Sequence, residues 1–93
     1  MRFWARLAQV NKVLVEKKAE KGLRKLPPQV KESVFSVLKK IAADPFPPGS
    51  RKIVGTDNLW RIRIGDYRIL YEVDEAAEII RIERIGHRKD VYR

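Results

Sequence analysis

The stretch from Trp60 to Tyr71, WRIRIGDYRILY, constrains the fold of this chain more than any other. β-Branched and aromatic residues alternate with arginines on both sides of a Gly-Asp pair, which is the composition of a hairpin with a two-residue turn. With Gly65-Asp66 as that turn, Ile64 is set opposite Tyr67, Arg63 opposite Arg68, Ile62 opposite Ile69, Arg61 opposite Leu70 and Trp60 opposite Tyr71. Successive side chains alternate between the two sides of a strand. Trp60, Ile62, Ile64, Tyr67, Ile69 and Tyr71 therefore share one face, and Arg61, Arg63 and Arg68 share the other. Like charges directly opposite each other on a sheet cost stability unless an anion sits between them. The hairpin thus implies either a phosphate ligand or a solvated basic face screened by salt.

The apolar face needs a cover, and the residues upstream supply one. Lys12 to Glu16, KVLVE, reads as a short first strand. From Lys17 to Leu26 the spacing predicts a helix with Ala19, Leu23 and Leu26 on one side, stopped at Pro27-Pro28 because a prolyl ring clashes with the preceding helical turn. Pro28 can open the next helix, which runs to Ala43 and carries Val30, Val34, Val37, Leu38 and Ile41 as a buried stripe, with Lys31, Glu32, Lys39 and Lys40 toward water. Asp44 to Ser50 is too rich in proline for regular structure and makes a stiff connection.

Strands are then expected at Lys52 to Val54, Leu59 to Ile64, Tyr67 to Val73 and Ile79 to Ile85, with Gly55 to Asn58 as a break or bulge. The last two are joined through Asp74 to Glu78. If Val73 faces Glu78, Arg81 lies across from Leu70 and Glu83 across from Arg68, where the carboxylate would hold the guanidinium in place. Ile80 and Ile82 join the apolar face. The expected class is α+β: an N-terminal strand and a helical hairpin packed on one face of a mainly antiparallel sheet of about four to five strands. Residues 12–93 make one domain, and residues 1–11 are an N-terminal extension, either a frayed tail or a short helix with Phe3, Trp4, Leu7 and Val10 on one side.

Composition excludes several classes of function. In 93 residues there is no cysteine and a single histidine, His87, which rules out a disulfide framework, a thiolate metal site and a histidine cluster. No apolar run approaches the ~18 to 20 residues of a membrane span, and the first residues lack a secretory signal, so the cytoplasm is the expected compartment, with no membrane partner. Lys plus Arg number 21 against 12 for Asp plus Glu, a net charge of +9 that suits RNA or DNA. Residues 1–50 carry 11 basic and 4 acidic side chains, whereas residues 51–93 carry 10 and 8. The first half supplies the field, through a helical face bearing Lys17, Lys18, Lys21, Arg24 and Lys25, and the second places arginines singly among apolar neighbours.

The last segment, Arg84 to Arg93, RIGHRKDVYR, adds chemistry to that face. Gly86 is expected to break the strand and let backbone and arginine approach a ligand. His87 and Arg88 follow at once, and Tyr92 comes four residues beyond Arg88, where its ring can stack on a nucleobase. Histidine is the side-chain type that titrates near neutrality. Arginines, histidine and tyrosine are expected to converge on one polar face.

The order strand, helical hairpin, then a sheet carrying LWRIRIGDYRILYEVD and IGHRKDVY resembles the RelE/ParE superfamily of toxins from type II toxin–antitoxin modules, above all its RelE branch. The likeness covers about residues 12–93. It implies a small basic toxin that enters the ribosomal A site and cuts messenger RNA there without a metal or other cofactor, and that a cognate acidic antitoxin neutralises. The implied chemistry is attack of a ribose 2′-hydroxyl on the adjacent phosphodiester. By the family pattern Arg61 and Arg63 line the nucleophile side, Arg68 stabilises the phosphate, Arg88 serves the leaving group and Tyr92 stacks on the substrate. Arg51, Lys52, Arg81, Arg84 and Lys89 extend the RNA-binding track. One departure is chemical: the family often has lysines where Arg61 and Arg63 stand, and a guanidinium stays protonated, so it clamps well and accepts a proton poorly. His87 is then the remaining candidate base. Two other readings follow from the same likeness, a ParE-like inhibitor of DNA gyrase and a catalytically weak member that only binds antitoxin or nucleic acid.

Overall fold

Pro27 and Pro28 divide the N-terminal half into two helices. In the computed structural model, which describes residues 11–91, strand β1 (Lys12–Val15) leads into helix α1 (Lys17–Arg24), and α2 (Pro28–Ala43) starts with proline in its first turn. There the missing N–H costs nothing. α1 closes sooner than its apolar spacing suggests. Lys25 and Leu26 bond back only three residues, to the carbonyls of Gly22 and Leu23, tightening the last turn before the prolines.

Beyond the connector come β2 (Arg51–Lys52), β3 (Leu59–Ile64), β4 (Tyr67–Asp74), β5 (Ile79–His87) and a short closing helix, α3 (Arg88–Val91). The sheet order is β1-β5-β4-β3-β2; β1 runs parallel to β5 and every other pair is antiparallel. β2 is shorter than expected and begins one residue earlier. At Ile53 the chain turns away: the Thr56 hydroxyl donates to the Ile53 carbonyl at 2.6 Å, Gly55 takes φ +86°, and Val54 is left 98% exposed.

The β3–β4 hairpin has the register expected from its sequence, with Arg63 facing Arg68 and Trp60 facing Tyr71. Gly65 sits at φ +60° in the first turn position, the left-handed conformation that a twist-matched tight turn requires and that glycine adopts freely. The β4–β5 hairpin does not have its expected register. Val73 faces Ile80 rather than Glu78, Arg81 faces Glu72 rather than Leu70, and Gly86 faces Arg68. The turn is shifted along the chain: Asp74 pairs with Ile79 and folds it, accepting from the Ala77 N–H at 3.1 Å, while Glu78 takes φ +58°. A bulge then falls between Leu70 and Tyr71: Tyr71 faces Ile82 but Leu70 faces Arg84, which leaves Glu83 as the extra residue. Glu83 therefore does not hold Arg68. Nor does Gly86 break the strand, which continues through His87.

The bulge keeps the core in phase. Ile80 and Ile82 alternate normally, and the extra residue brings Ile85, rather than Arg84, back to the apolar face opposite Ile69. Ala19, Leu26, Val34 and Ile41 from the helices meet Ile62, Ile69, Tyr71, Ile80, Ile82 and Ile85 from the sheet in one buried cluster. α1 lies close on β5: a Cβ at Gly22 would run into the Ile85 carbonyl oxygen. The connector is fastened by Tyr71, fully buried, whose hydroxyl donates to the Pro45 carbonyl at 2.8 Å, and by Phe46 against Trp60 at 4.6 Å between ring centroids. Both helices thus cover one face of the sheet, and the other face is left for the arginines. Among the described residues no helix is long and apolar enough to cross a membrane.

Candidate functional site

The strand registers place the arginines of the open face in rows. One row across the sheet reads Arg51, Arg61, Leu70, Arg84; the next reads Arg63, Arg68, Gly86. Paired residues on neighbouring strands point to the same side, so all five arginines lie on the face away from α1 and α2.

Arg68 is the centre of this arrangement. It is 8% exposed, the one buried charged residue among those described. Its Nη1 donates to the Gly65 and Tyr67 carbonyls, each at 3.0 Å, and among the described residues no carboxylate lies within ion-pair distance of it. These backbone oxygens engage Nη1 without cancelling the charge of the guanidinium. A buried cation held this way, with Arg63 directly opposite, lowers its energy by taking up an anion.

The same turn positions Arg88. Its backbone N–H donates to the Asp66 carbonyl at 2.8 Å, so α3 begins beside the turn whose Gly65 carbonyl anchors Arg68. Arg88 and Lys89 are both exposed on this helix. Arg63 and Arg68 therefore share one end of the open face, with Arg61 one row along β3, and the Arg88 backbone starts beside the same turn. Below them Leu70 and Val91, both buried, line a groove with Leu59, Glu83 and Arg84.

Two expected members of the site sit on the other side of the sheet, and a third is already paired. His87 faces Tyr67 and so lies on the helix side of the sheet; the two rings meet edge to face at 5.5 Å. Its Nδ1 accepts the Lys89 N–H at 3.2 Å, which caps α3. It does not join the arginine face, because the bulge reverses the parity of the residues after Glu83. Lys52 pairs with Trp60 and is likewise on the side opposite Arg51. Arg81 is on the open face but engaged with Glu72 at 3.0 Å. Tyr92 lies outside the described residues, as does the N-terminal extension up to Val10.

Sequence reasoning set Glu83 on the polar face against Arg68; the structure sets it in the wall of the groove instead, as an acidic flank with Glu72. Burial, together with the negative charges of Glu16 and Glu72, lifts the Glu83 carboxyl above the ordinary carboxylate range, against the pull of Arg81. The signal was present in the spacing of Ile80, Ile82 and Ile85: a three-residue step in a period-two pattern marks a bulge, and the extra residue is Glu83. Among the described residues no group of three His, Asp or Glu side chains gathers as a metal ligand set. The face offers fixed guanidinium charge around a shallow apolar floor, which is suited to a phosphodiester flanked by bases.

Comparison with known proteins gives a consistent result. A family model described as "ParE toxin of type II toxin-antitoxin system, parDE" matches residues 13–92. Toxin RelG of Mycobacterium tuberculosis is 33% identical over 79 residues, covering 81% of this chain and 87% of that protein. Toxin RelE3 of Methanocaldococcus jannaschii is 32% identical over 85 residues, covering 87% and 94%. Among solved structures, the archaeal RelE–RelB complex of Pyrococcus horikoshii superposes with a TM-score of 0.75 at 27% identity, over 87% of this chain and 98% of that one.

Proposed function

This chain belongs to the ParE toxin family of type II toxin–antitoxin systems, and we propose that it acts as a ribosome-dependent endoribonuclease that cuts messenger RNA in the A site. The observation that carries this reading is the buried, carbonyl-anchored Arg68 directly opposite Arg63 beside the Gly65-Asp66 turn, with Arg61 one row away and the Arg88 backbone fastened to the same turn. Cleavage by the 2′-hydroxyl builds negative charge on the phosphorane, and preorganised cations in a partly dry site stabilise that charge at low reorganisation cost. Arg68 is suited to this task because its carbonyl bonds fix the guanidinium before substrate arrives. Arg61 and Arg63 clamp the phosphate on the nucleophile side and orient the ribose. Arg88 serves the leaving 5′-oxygen, and Tyr92 stacks on the flanking base. With His87 on the far side of the sheet, turnover rests on orientation and charge stabilisation more than on a dedicated base, and no metal takes part.

The relatives named RelG and RelE3 support the nuclease over other activities in the family. A cytoplasmic antitoxin with an acidic amphipathic segment fits a chain of net charge +9, since it would neutralise the open face on docking. The test is primer extension on a ribosome-bound message. The purified chain should produce a break within the A-site codon, and Arg88→Ala should abolish it while unfolding at the same urea concentration. A second reading, inhibition of DNA gyrase, is favoured by the ParE description of the family match. An intact message together with blocked supercoiling would install that reading instead.

A further inference from the structure

A second cavity, of about 510 Å³, opens where α1 crosses the end of β5. Lys18, Lys21 and Lys25 line it from the helix, Arg84, His87 and Tyr67 from the sheet, and Asp90 of α3 is the one acid in its wall against these cations. The three lysines recur at helical spacing, so they occupy one side of α1, and the close approach of Gly22 to the Ile85 carbonyl holds that side against the strand. The acid of this helix is engaged elsewhere: Glu20 pairs with Arg24 at 2.8 Å. Among the described residues no carboxylate lies within ion-pair distance of Lys18, Lys21 or Lys25. Three like charges on consecutive turns repel one another, a cost that an anion in the cleft removes.

The cleft also adjoins the arginine face. Arg84 and Val91 line both this cavity and the open-face groove, so the two meet across the end of β5. We propose that the cleft is a second phosphate-binding site, which holds a backbone phosphate of the same RNA strand after it leaves the arginine face around the end of β5. The identity of the polyanion rests on the nuclease reading; the anion site itself rests on the cleft. It gives the field of the N-terminal half a task, since lysines placed off the reacting linkage fix the path of the strand without touching the bond that breaks.

The test uses the full chain and a 2′-O-methyl ribo-oligonucleotide of about a dozen nucleotides, which cannot be cut because its nucleophile is blocked. In NMR titration the amides of Gly22, Lys25 and His87 should shift together with those of Arg61, Arg63 and Arg68. Replacing Lys18, Lys21 and Lys25 with Gln should abolish the first set of shifts and keep the second. It should weaken binding roughly tenfold at low salt and lower the salt slope by about 1 to 2, because each phosphate contact on a single strand contributes about 0.7. A control with Lys31, Lys39 and Lys40 replaced by Gln removes equal charge from α2 and should bind close to the unaltered chain. Cleft amides that do not move, or equal weakening by the control, would overturn the proposal. A ribosome-bound message left whole while the cleft amides still respond would refute the nuclease reading and sustain the cleft.

Discussion

Replacing Tyr71 with Phe should reverse the order of stability of the two proteins between neutral and alkaline pH. Tyr71 is fully buried beside the β5 bulge and ties the sheet to the proline-rich connector through the Pro45 carbonyl. At pH 7 the variant loses that hydrogen bond and leaves the carbonyl unpaired, which costs about 1 kcal/mol. Burial, which outweighs the opposing effect of Ser50 and is reinforced by the charge of Asp44, pushes the phenol up to about 12 from its usual 10.0. The sign follows from linkage. A folded-state pKa above the unfolded one means that the native protein holds the proton more tightly, so the contribution is complete below pH 10.0 and is lost as pH climbs toward 12. At pH 11 the loss is about 1.4 kcal/mol, one tenfold in proton affinity. Tyr71→Phe escapes this loss and should become the more stable protein above about pH 11. Urea denaturation of both proteins at pH 7 and pH 11 measures it; with a slope of about 1 kcal/mol/M, each kcal/mol moves the midpoint by about 1 M. Parallel losses in the two proteins between these pH values would refute the argument that this hydroxyl is buried in its neutral form.

Gly22→Ala should unfold at lower urea by about 1 to 3 kcal/mol, since the added methyl meets the Ile85 carbonyl and must push α1 off the sheet. Glu83→Gln should raise the midpoint at pH 7 and lose that advantage on acidification. The raised carboxyl favours its protonated form in the native protein, so its stabilising effect is present at low pH and lost as pH rises. Arg63→Thr should stabilise the fold at low salt by removing the charge opposite Arg68, while slowing cleavage of ribosome-bound message, a trade visible by comparing thermal unfolding with primer extension.

Much of this architecture was legible in the sequence because local rules and tertiary packing agree. Pro27-Pro28 and the stripe from Val30 to Ile41 fix the helical hairpin, and WRIRIGDYRILY fixes its own register through Gly65. The second hairpin was read two residues out because its turn is set by the Asp74 carboxylate and a left-handed Glu78, features that composition does not announce. The consequence for the site was larger than the error in the fold. With the bulge at Glu83 unread, every later residue of β5 changed sides, so His87 was expected among the arginines and Arg84 was not placed opposite Leu70. Arg88 survived that shift because it lies beyond the strand, fixed by the Asp66 carbonyl rather than by alternation. The pairing of Arg68 with Arg63 on the polar face was readable in the sequence, but its burial comes from the tertiary structure.

The chemical role assigned to the open face can be tested with a message that carries a single 2′-deoxynucleotide at the position cut in its all-ribose counterpart. On the proposed nuclease reading the arginines stabilise charge generated by attack of the neighbouring 2′-hydroxyl, and that reading calls on no other nucleophile. The all-ribose message on the ribosome should therefore be broken at that codon, and the substituted message should stay whole at that position under the same conditions. Continued cutting at the deoxy position would contradict the account.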